Sequence, residues 1–220
     1  MPQTGKVNVN TQDVDAIFHL DCSGSMGWGA DRDNTGPTRW RKGEELMTQV
    51  AIDVAEFDDD GLTVYVFNNS YSVVDGVTPE TVADIFRKHT PNYGTTLAPT
   101  INHMLNSLLP AKKKTGFMAR GYEKVTPVKP IWNLVFTDGC PSDKQAVADA
   151  IVDATRRTER GNIGFIFVQV GYDDEATGFL KWLDQNLRGA EYDCVAIARL
   201  EDIAGLKTED LVLRAFNGGN

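Results

Sequence analysis

The chain has 220 residues, with 22 Lys and Arg against 31 Asp and Glu, and a formal charge of −9 at pH 7. Its 41% apolar and 24% charged content describes a globular chain, neither disordered nor fibrous, and long enough to bury a core without a disulfide or structural metal. The acidic balance argues against a nucleic-acid or membrane-surface binder, no apolar run approaches the roughly 20 residues of a spanning helix, and three widely spaced cysteines without a CxxC argue against a disulfide framework or zinc site.

Length favours one α/β domain over residues 1–220. The first residues, Met1-Pro2-Gln3-Thr4-Gly5-Lys6, lack the apolar region of a signal peptide, so a cytoplasmic location is expected. Residues 15–20 are predicted as the first strand. Ala16-Ile17-Phe18-His19-Leu20 shows no alternation, as in a strand buried on both faces. A helix is predicted over 39–57, with Leu46, Val50, Val54 and Phe57 on one face, ended by Asp58-Asp59-Asp60-Gly61. Strands at 62–67 and 71–74 flank Asn68-Asn69-Ser70 as a hairpin, which adds an antiparallel edge strand. A short helix starts near Pro79, and a longer one near Thr96 carries Leu97, Ile101, Leu105 and Leu108 on one stripe. Residues 131–137 form a second central strand. Ser142-Asp143 is placed to cap the next helix, whose inner face is Val147, Ala150, Ile151 and Ala154. A third buried strand covers 163–170. Asp173-Asp174-Glu175 caps a helix over 175–187 with Phe179, Trp182 and Leu183 inward, and a strand at 193–198 precedes a C-terminal helical region. The expected architecture is α/β and doubly wound: a mostly parallel six-stranded sheet with one antiparallel edge strand and helices on both faces.

Two connections are unusually long, 27–38 and 111–129. The second holds Lys112, Lys113, Lys114, Arg120, Lys124 and Lys129 against Glu123 alone. By topology it lies at the pole opposite the carboxyl ends of the strands. A solvated connection is favoured over a second binding site.

Ligands of open parallel sheets bind beyond the carboxyl ends of the strands. Directly after the first strand comes Asp21-Cys22-Ser23-Gly24-Ser25-Met26. One carboxylate and two hydroxyls at alternate positions are hard oxygen donors, suited to Mg²⁺, Mn²⁺ or Ca²⁺ rather than zinc. Gly24 is expected to permit the tight turn that makes them converge. Gly94-Thr95-Thr96-Leu97 and Phe136-Thr137-Asp138-Gly139 fall at the same edge.

This combination resembles the von Willebrand factor A (VWA) domain family over essentially the whole chain. The family's D-x-S-x-S motif, later Thr and later Asp form its metal-ion-dependent adhesion site. The resemblance implies a Rossmann-like fold and metal ligands Asp21, Ser23, Ser25, Thr95 and Asp138, with Thr96 as an alternative to Thr95. In the family the hydroxyls ligate directly, the two Asp often act through water, and one position stays open for a partner's carboxylate. The implied function is metal-dependent protein binding, with Mg²⁺ first, bridging to an Asp or Glu of a protein partner. Intracellular members serve assemblies that include ring-forming ATPases and stress-resistance systems. Thr137-Asp138-Gly139-Cys140-Pro141-Ser142-Asp143 is similar to tellurium-resistance-associated members, over a short stretch.

Smaller expectations concern other residues. Trp28 leaves the metal motif directly and is a candidate partner contact, whereas Trp40 is expected to pack onto the domain. Cys22 and Cys140 are read as two small buried residues rather than a redox pair, and Cys194 as core. His19 reads as a satisfied core residue. Asp31-Arg32-Asp33-Asn34-Thr35-Gly36 begins like a calcium loop, but its twelfth position is Lys42. The alternative function is a metal-dependent hydrolase using Asp21 or Ser25. Ser23 stands where the haloacid dehalogenase pattern needs Asp, and where G-x-S-x-G needs Gly, so neither pattern closes and no enzyme is expected.

Overall fold

The computed structural model describes residues 6–58, 60–114, 121–185 and 187–218. Strand β1 (Asp15–Asp21) occupies the middle of the sheet. It is followed by a single 3₁₀ turn, Gly24–Gly27, and by helix α1 (Arg39–Val54), whose N-cap Thr38 accepts a hydrogen bond from the Arg41 amide. Strands β2 (Leu62–Phe67) and β3 (Tyr71–Val77) form the hairpin, and α2 (Val82–Lys88) and α3 (Ala98–Leu108) follow. A two-residue ribbon, β4 (Lys112–Lys113) with β5 (Tyr122–Glu123), precedes β6 (Ile131–Thr137). Then come α4 (Lys144–Arg157), β7 (Ile163–Gln169), α5 (Asp174–Gln185), β8 (Val195–Arg199), the short α6 (Leu200–Ile203) and α7 (Thr208–Asn217).

The six-stranded sheet runs β3-β2-β1-β6-β7-β8, antiparallel only at β2–β3. With the ribbon set aside, this is the strand order of a doubly wound fold, and its direction of winding reverses between β1 and β6. β1, β6 and β7 are buried along almost their whole length, which is why their sequences do not alternate. Successive side chains still feed different cores. Ala16, Phe18 and Leu20 meet α1 and α7 on one face, while Ile17 meets α3 and α4 on the other.

Three local expectations need correction. Trp182 does not point inward: it is 37% exposed and stacks on Phe179 at 6.1 Å between ring centroids. The buried stripe of α5 is Ala176, Phe179, Leu180 and Leu183, and at about 100° per residue Trp182 falls on its shoulder. Asp143 occupies the N-cap of α4 without a side-chain cap there. Its carboxylate accepts instead from the Leu97 and Ala98 amides, at 3.1 and 2.8 Å, and so caps α3. Residues 121–129 are anchored to the domain rather than merely solvated. Lys124 Nζ donates to the Thr155 and Thr158 carbonyls and pairs with Glu191, and Lys129 pairs with Asp58. Arg120 lies outside the described residues.

Asp173 caps α5 through the Ala176 amide at 2.7 Å, and Trp40 packs on Phe86 with centroids 4.6 Å apart, both as expected. Cys22 joins the core on one face of the sheet, and Cys140 packs against the core on the other, so the sheet separates the two thiols. No helix among the described residues is long and apolar enough to cross a membrane.

Candidate functional site

β1 and β6 end side by side at the switch point, which places Asp21 and Asp138 on adjoining strand ends. Each carboxylate oxygen already has a protein partner. Asp21 Oδ1 accepts from the Ser23 amide at 2.8 Å and its Oδ2 from Thr137 Oγ1 at 2.6 Å. Asp138 Oδ1 accepts from Ser25 Oγ at 3.0 Å, and Ser23 Oγ lies 3.3 Å from Ser25 Oγ. Asp138 Oδ2 accepts from Arg39 Nη1 at 2.6 Å. Both aspartates are fully buried and Arg39 nearly so. Four of the five predicted site residues therefore form one hydrogen-bonded chain.

The fifth, Thr95, is held by a separate scaffold and is not hydrogen-bonded to this chain of residues. The Ser142 amide and hydroxyl both donate to the Thr95 carbonyl at 2.9 Å, Asp143 caps the helix just beyond it, and the Thr96 amide donates to the Asn68 carbonyl. Thr96 Oγ1 lies 3.4 Å from Ser142 Oγ. Among the described residues the Thr95 hydroxyl has no hydrogen-bond partner, which favours Thr95 over its neighbour as a free donor.

The motif turn differs in origin from its expectation. Gly24 is not in the left-handed region, and a Cβ there would meet Tyr93 O at an ordinary 3.6 Å. The residue under strain is Tyr93 itself, at φ +62 and 75% exposed. Its carbonyl accepts from the Gly24 amide, and the Asn92 amide donates to the Cys22 carbonyl. Tyr93 thus borders the motif on one side. Trp28, 57% exposed, borders it on the other and lies over the Arg39 guanidinium at 5.6 Å.

Segment 27–38 is a pinned hairpin rather than a free loop. Gly29 bridges Thr38, the Ala30 amide donates to the Pro37 carbonyl, and a Cβ at Gly29 would strike Asn34 O at 2.2 Å. Arg39 ties this hairpin to the site, with Nε donating to the Gly29 carbonyl and Nη2 to Asn34 Oδ1. Gly171, at φ +77, gives the guanidinium its space. Neither Arg39 nor Tyr93 stood out in the sequence.

Burial and then the charge of Asp138 push Asp21 up to about 7, against the hydrogen bonds of Thr137 and Ser23. Burial also raises Asp138, despite the opposing pull of Arg39 and Ser25. With both carboxylates ionised, as a bound cation would make them, one guanidinium leaves the cluster short of positive charge. That deficit, with hydroxyls as the other donors, fits a hard divalent cation. Among the described residues no group of three or more His, Cys, Asp or Glu is placed to hold a metal, so the candidate donors here are two carboxylates and hydroxyls. The Cys22 thiol, raised to about 12 by burial and by Asp21, stays protonated.

No protein-family description and no curated protein matches the chain. Solved structures do match. A conserved hypothetical protein BatB from Bacteroides thetaiotaomicron aligns with TM-score 0.51 and 17% identity, over 84% of this chain and 89% of that one. The PilB minor pilin of Streptococcus sanguinis, as its D319A mutant, aligns with TM-score 0.57 and 11% identity, over 93% of this chain and 59% of its own. An aerotolerance-related membrane protein from Bacteroides fragilis, crystallised with multiple mutations to serine, aligns with TM-score 0.47 and 18% identity, over 73% of this chain and 69% of that one. The BatB and PilB matches establish likeness of fold.

Proposed function

We propose that this chain is a VWA-type binding module. In this reading Ser23, Ser25 and Thr95, with Asp21 and Asp138, hold a divalent cation that bridges to an Asp or Glu of a protein partner. Mg²⁺ is the first choice. The observation that carries the reading is the Asp21 and Asp138 pair: two buried carboxylates on adjoining strand ends, linked through Ser23 and Ser25, with Arg39 as the cation hydrogen-bonded to Asp138. The cation would supply the missing positive charge and a coordination position for an incoming oxygen. The protein's residues orient the donors and exclude water from beneath them.

Binding is favoured over hydrolysis because the carboxylate that accepts from the Ser25 hydroxyl, Asp138, is itself held by Arg39, which weakens it as a base. His19, His89 and His103 are each hydrogen-bonded elsewhere, to Thr100 and Asn133, to Ser72, and to Tyr65. Three free thiols favour a reducing compartment, where we place the protein.

Calorimetric titration with Mg²⁺ and Mn²⁺ tests the site. Asp21→Asn preserves shape but removes a charge, and is expected to weaken cation binding at least about tenfold with the fold intact. Equal affinities for the two proteins would remove Asp21 from the site. Retention of partner proteins from a lysate in Mg²⁺, and their loss in EDTA, reads whether ring-forming ATPases or stress-resistance proteins are among them.

A further inference from the structure

The least expected member of the site is Arg39. It opens α1, where an arginine ordinarily faces water, yet it is buried with its guanidinium on Asp138 at 2.6 Å. The pair is held from several sides. Gly29 O and Asn34 Oδ1 accept from Nε and Nη2, the Trp28 ring lies 5.6 Å away, and Gly171 closes the far side without a side chain. A fork with this many fixed contacts behaves as a permanent charge rather than a mobile surface cation.

Charge follows from the composition of the cluster. Asp21 and Asp138 ionised, with Arg39, carry one net negative charge. A divalent cation reverses this to one net positive charge, and a single carboxylate then restores neutrality. In the absence of Arg39 the same cation would neutralise the two aspartates alone, and an arriving carboxylate would leave an uncompensated negative charge in a buried site.

We infer that Arg39 sets the charge of this site so that cation and carboxylate bind as a coupled pair. The cation alone is held weakly, and the partner's carboxylate completes the neutral cluster. The inference rests on the metal reading above and adds to it a residue and a thermodynamic signature. Coupling of this kind is reciprocal: the carboxylate tightens the cation as much as the cation tightens the carboxylate. It also gives the protein a means of presenting an attractive site only to acidic partners.

The probes are Mn²⁺, followed by electron paramagnetic resonance at pH 8, and sodium acetate against equal sodium chloride. In the wild type, acetate is expected to tighten Mn²⁺ binding about fivefold or more. Arg39→Gln is expected to bind Mn²⁺ at least about tenfold tighter than wild type and to lose the acetate effect. Arg39→Lys keeps the charge and is expected to keep both wild-type properties within a few-fold. Should Arg39→Gln fold only with metal, it is prepared in saturating Mn²⁺ and titrated with chelator, which reads the same affinity. Failure of the wild type to bind Mn²⁺ in acetate overturns the metal reading itself. Mn²⁺ binding that is indifferent to acetate, or no tighter in Arg39→Gln, overturns the role of Arg39 and leaves the metal reading standing.

Discussion

Acidification offers a quantitative test of the layer beneath the site. His19 is buried, stacks on Tyr65 with centroids 5.0 Å apart, and places Nδ1 2.9 Å from Thr100 Oγ1 and Nε2 3.2 Å from Asn133 Oδ1. A neutral ring donates Nε2–H to Asn133 Oδ1, and the Thr100 hydroxyl, which lies 2.9 Å from both Nδ1 and the Leu97 carbonyl, is shared between those two acceptors. Burial lowers the imidazole pKa from 6.5 to about 4, against a small opposing pull from Asn133. Between those values the unfolded chain binds the proton and the folded chain does not. The stability carried by the neutral ring is therefore present above pH 6.5 and is lost as pH falls toward 4. At about 1.4 kcal/mol per unit, the loss is about 2 kcal/mol by pH 5 and about 3 kcal/mol once the ring is charged. Asp21 and Asp138 act in the opposite sense, because their raised pKa values make the folded state take up protons first on acidification. The wild-type curve alone mixes these effects, so the measurement is a difference. His19→Phe keeps the ring stacked on Tyr65 and removes the titration. Urea unfolding in EDTA should find it about 1–2 kcal/mol less stable than wild type at pH 7.5, from the lost hydrogen bonds. That deficit should shrink by about 2 kcal/mol at pH 5. A difference between the two proteins that is the same at both pH values refutes the linkage to His19.

Two further outcomes concern the aromatic residues beside the motif. Trp28→Ala is expected to weaken partner binding about tenfold or more while leaving Mn²⁺ affinity in acetate within a few-fold, since an exposed aromatic anchor is lost and no charge changes. Tyr93→Gly is expected to leave thermal stability unchanged or raised by up to about 1 kcal/mol, because it relieves a left-handed residue, and still to weaken partner capture; capture at wild-type strength would take Tyr93 out of the contact surface.

The parts of this site that were legible in the sequence are those whose members are close in the chain or end a strand. Asp21, Ser23 and Ser25 share one turn, and Asp138 follows a run of seven buried residues that announces a central strand. The central strands were accessible for the same reason, since unbroken apolar runs mark strands covered on both faces, whereas their order in the sheet came from the structure. Contacts made across the fold were not. Arg39 and Asp138 are 99 positions apart, and an arginine at a helix start carries no sign of a buried partner. Asp143 was read as the cap of its own helix, because a carboxylate reaching 46 positions back to α3 has no sequence signal. Tyr93 gave no hint of its backbone, since left-handed geometry is anticipated at Gly or Asn and seldom at an aromatic residue. Trp182 was misplaced by one step around its helix, where a periodic pattern with four candidate positions tolerates either face.

If Arg39 is a fixed charge, the position that backs it must be intolerant in a particular way. Gly171 and Gly205 both sit in the left-handed region, at φ +77 and φ +81. A Cβ at Gly205 meets nothing within 4 Å, whereas one at Gly171 falls 2.8 Å from Arg39 Nε and 3.1 Å from its Cζ. Gly205→Ala therefore measures the backbone penalty alone, about 1–2 kcal/mol. Gly171→Ala adds the displacement of a guanidinium that has nowhere to retreat without loosening its hold on Asp138 or on the Gly29 carbonyl. Leaving a buried carboxylate poorly paired is worth a further 1–3 kcal/mol or so. Chemical denaturation in EDTA should thus rank Gly171→Ala well below Gly205→Ala. In an Arg39→Lys background, where the side chain is slimmer, the excess should fall. Equal losses at the two glycines would mean that the guanidinium swings aside freely. A charge that swings aside on so small a push could not hold the cluster one unit more positive, and the coupling assigned to Arg39 would lose its structural basis.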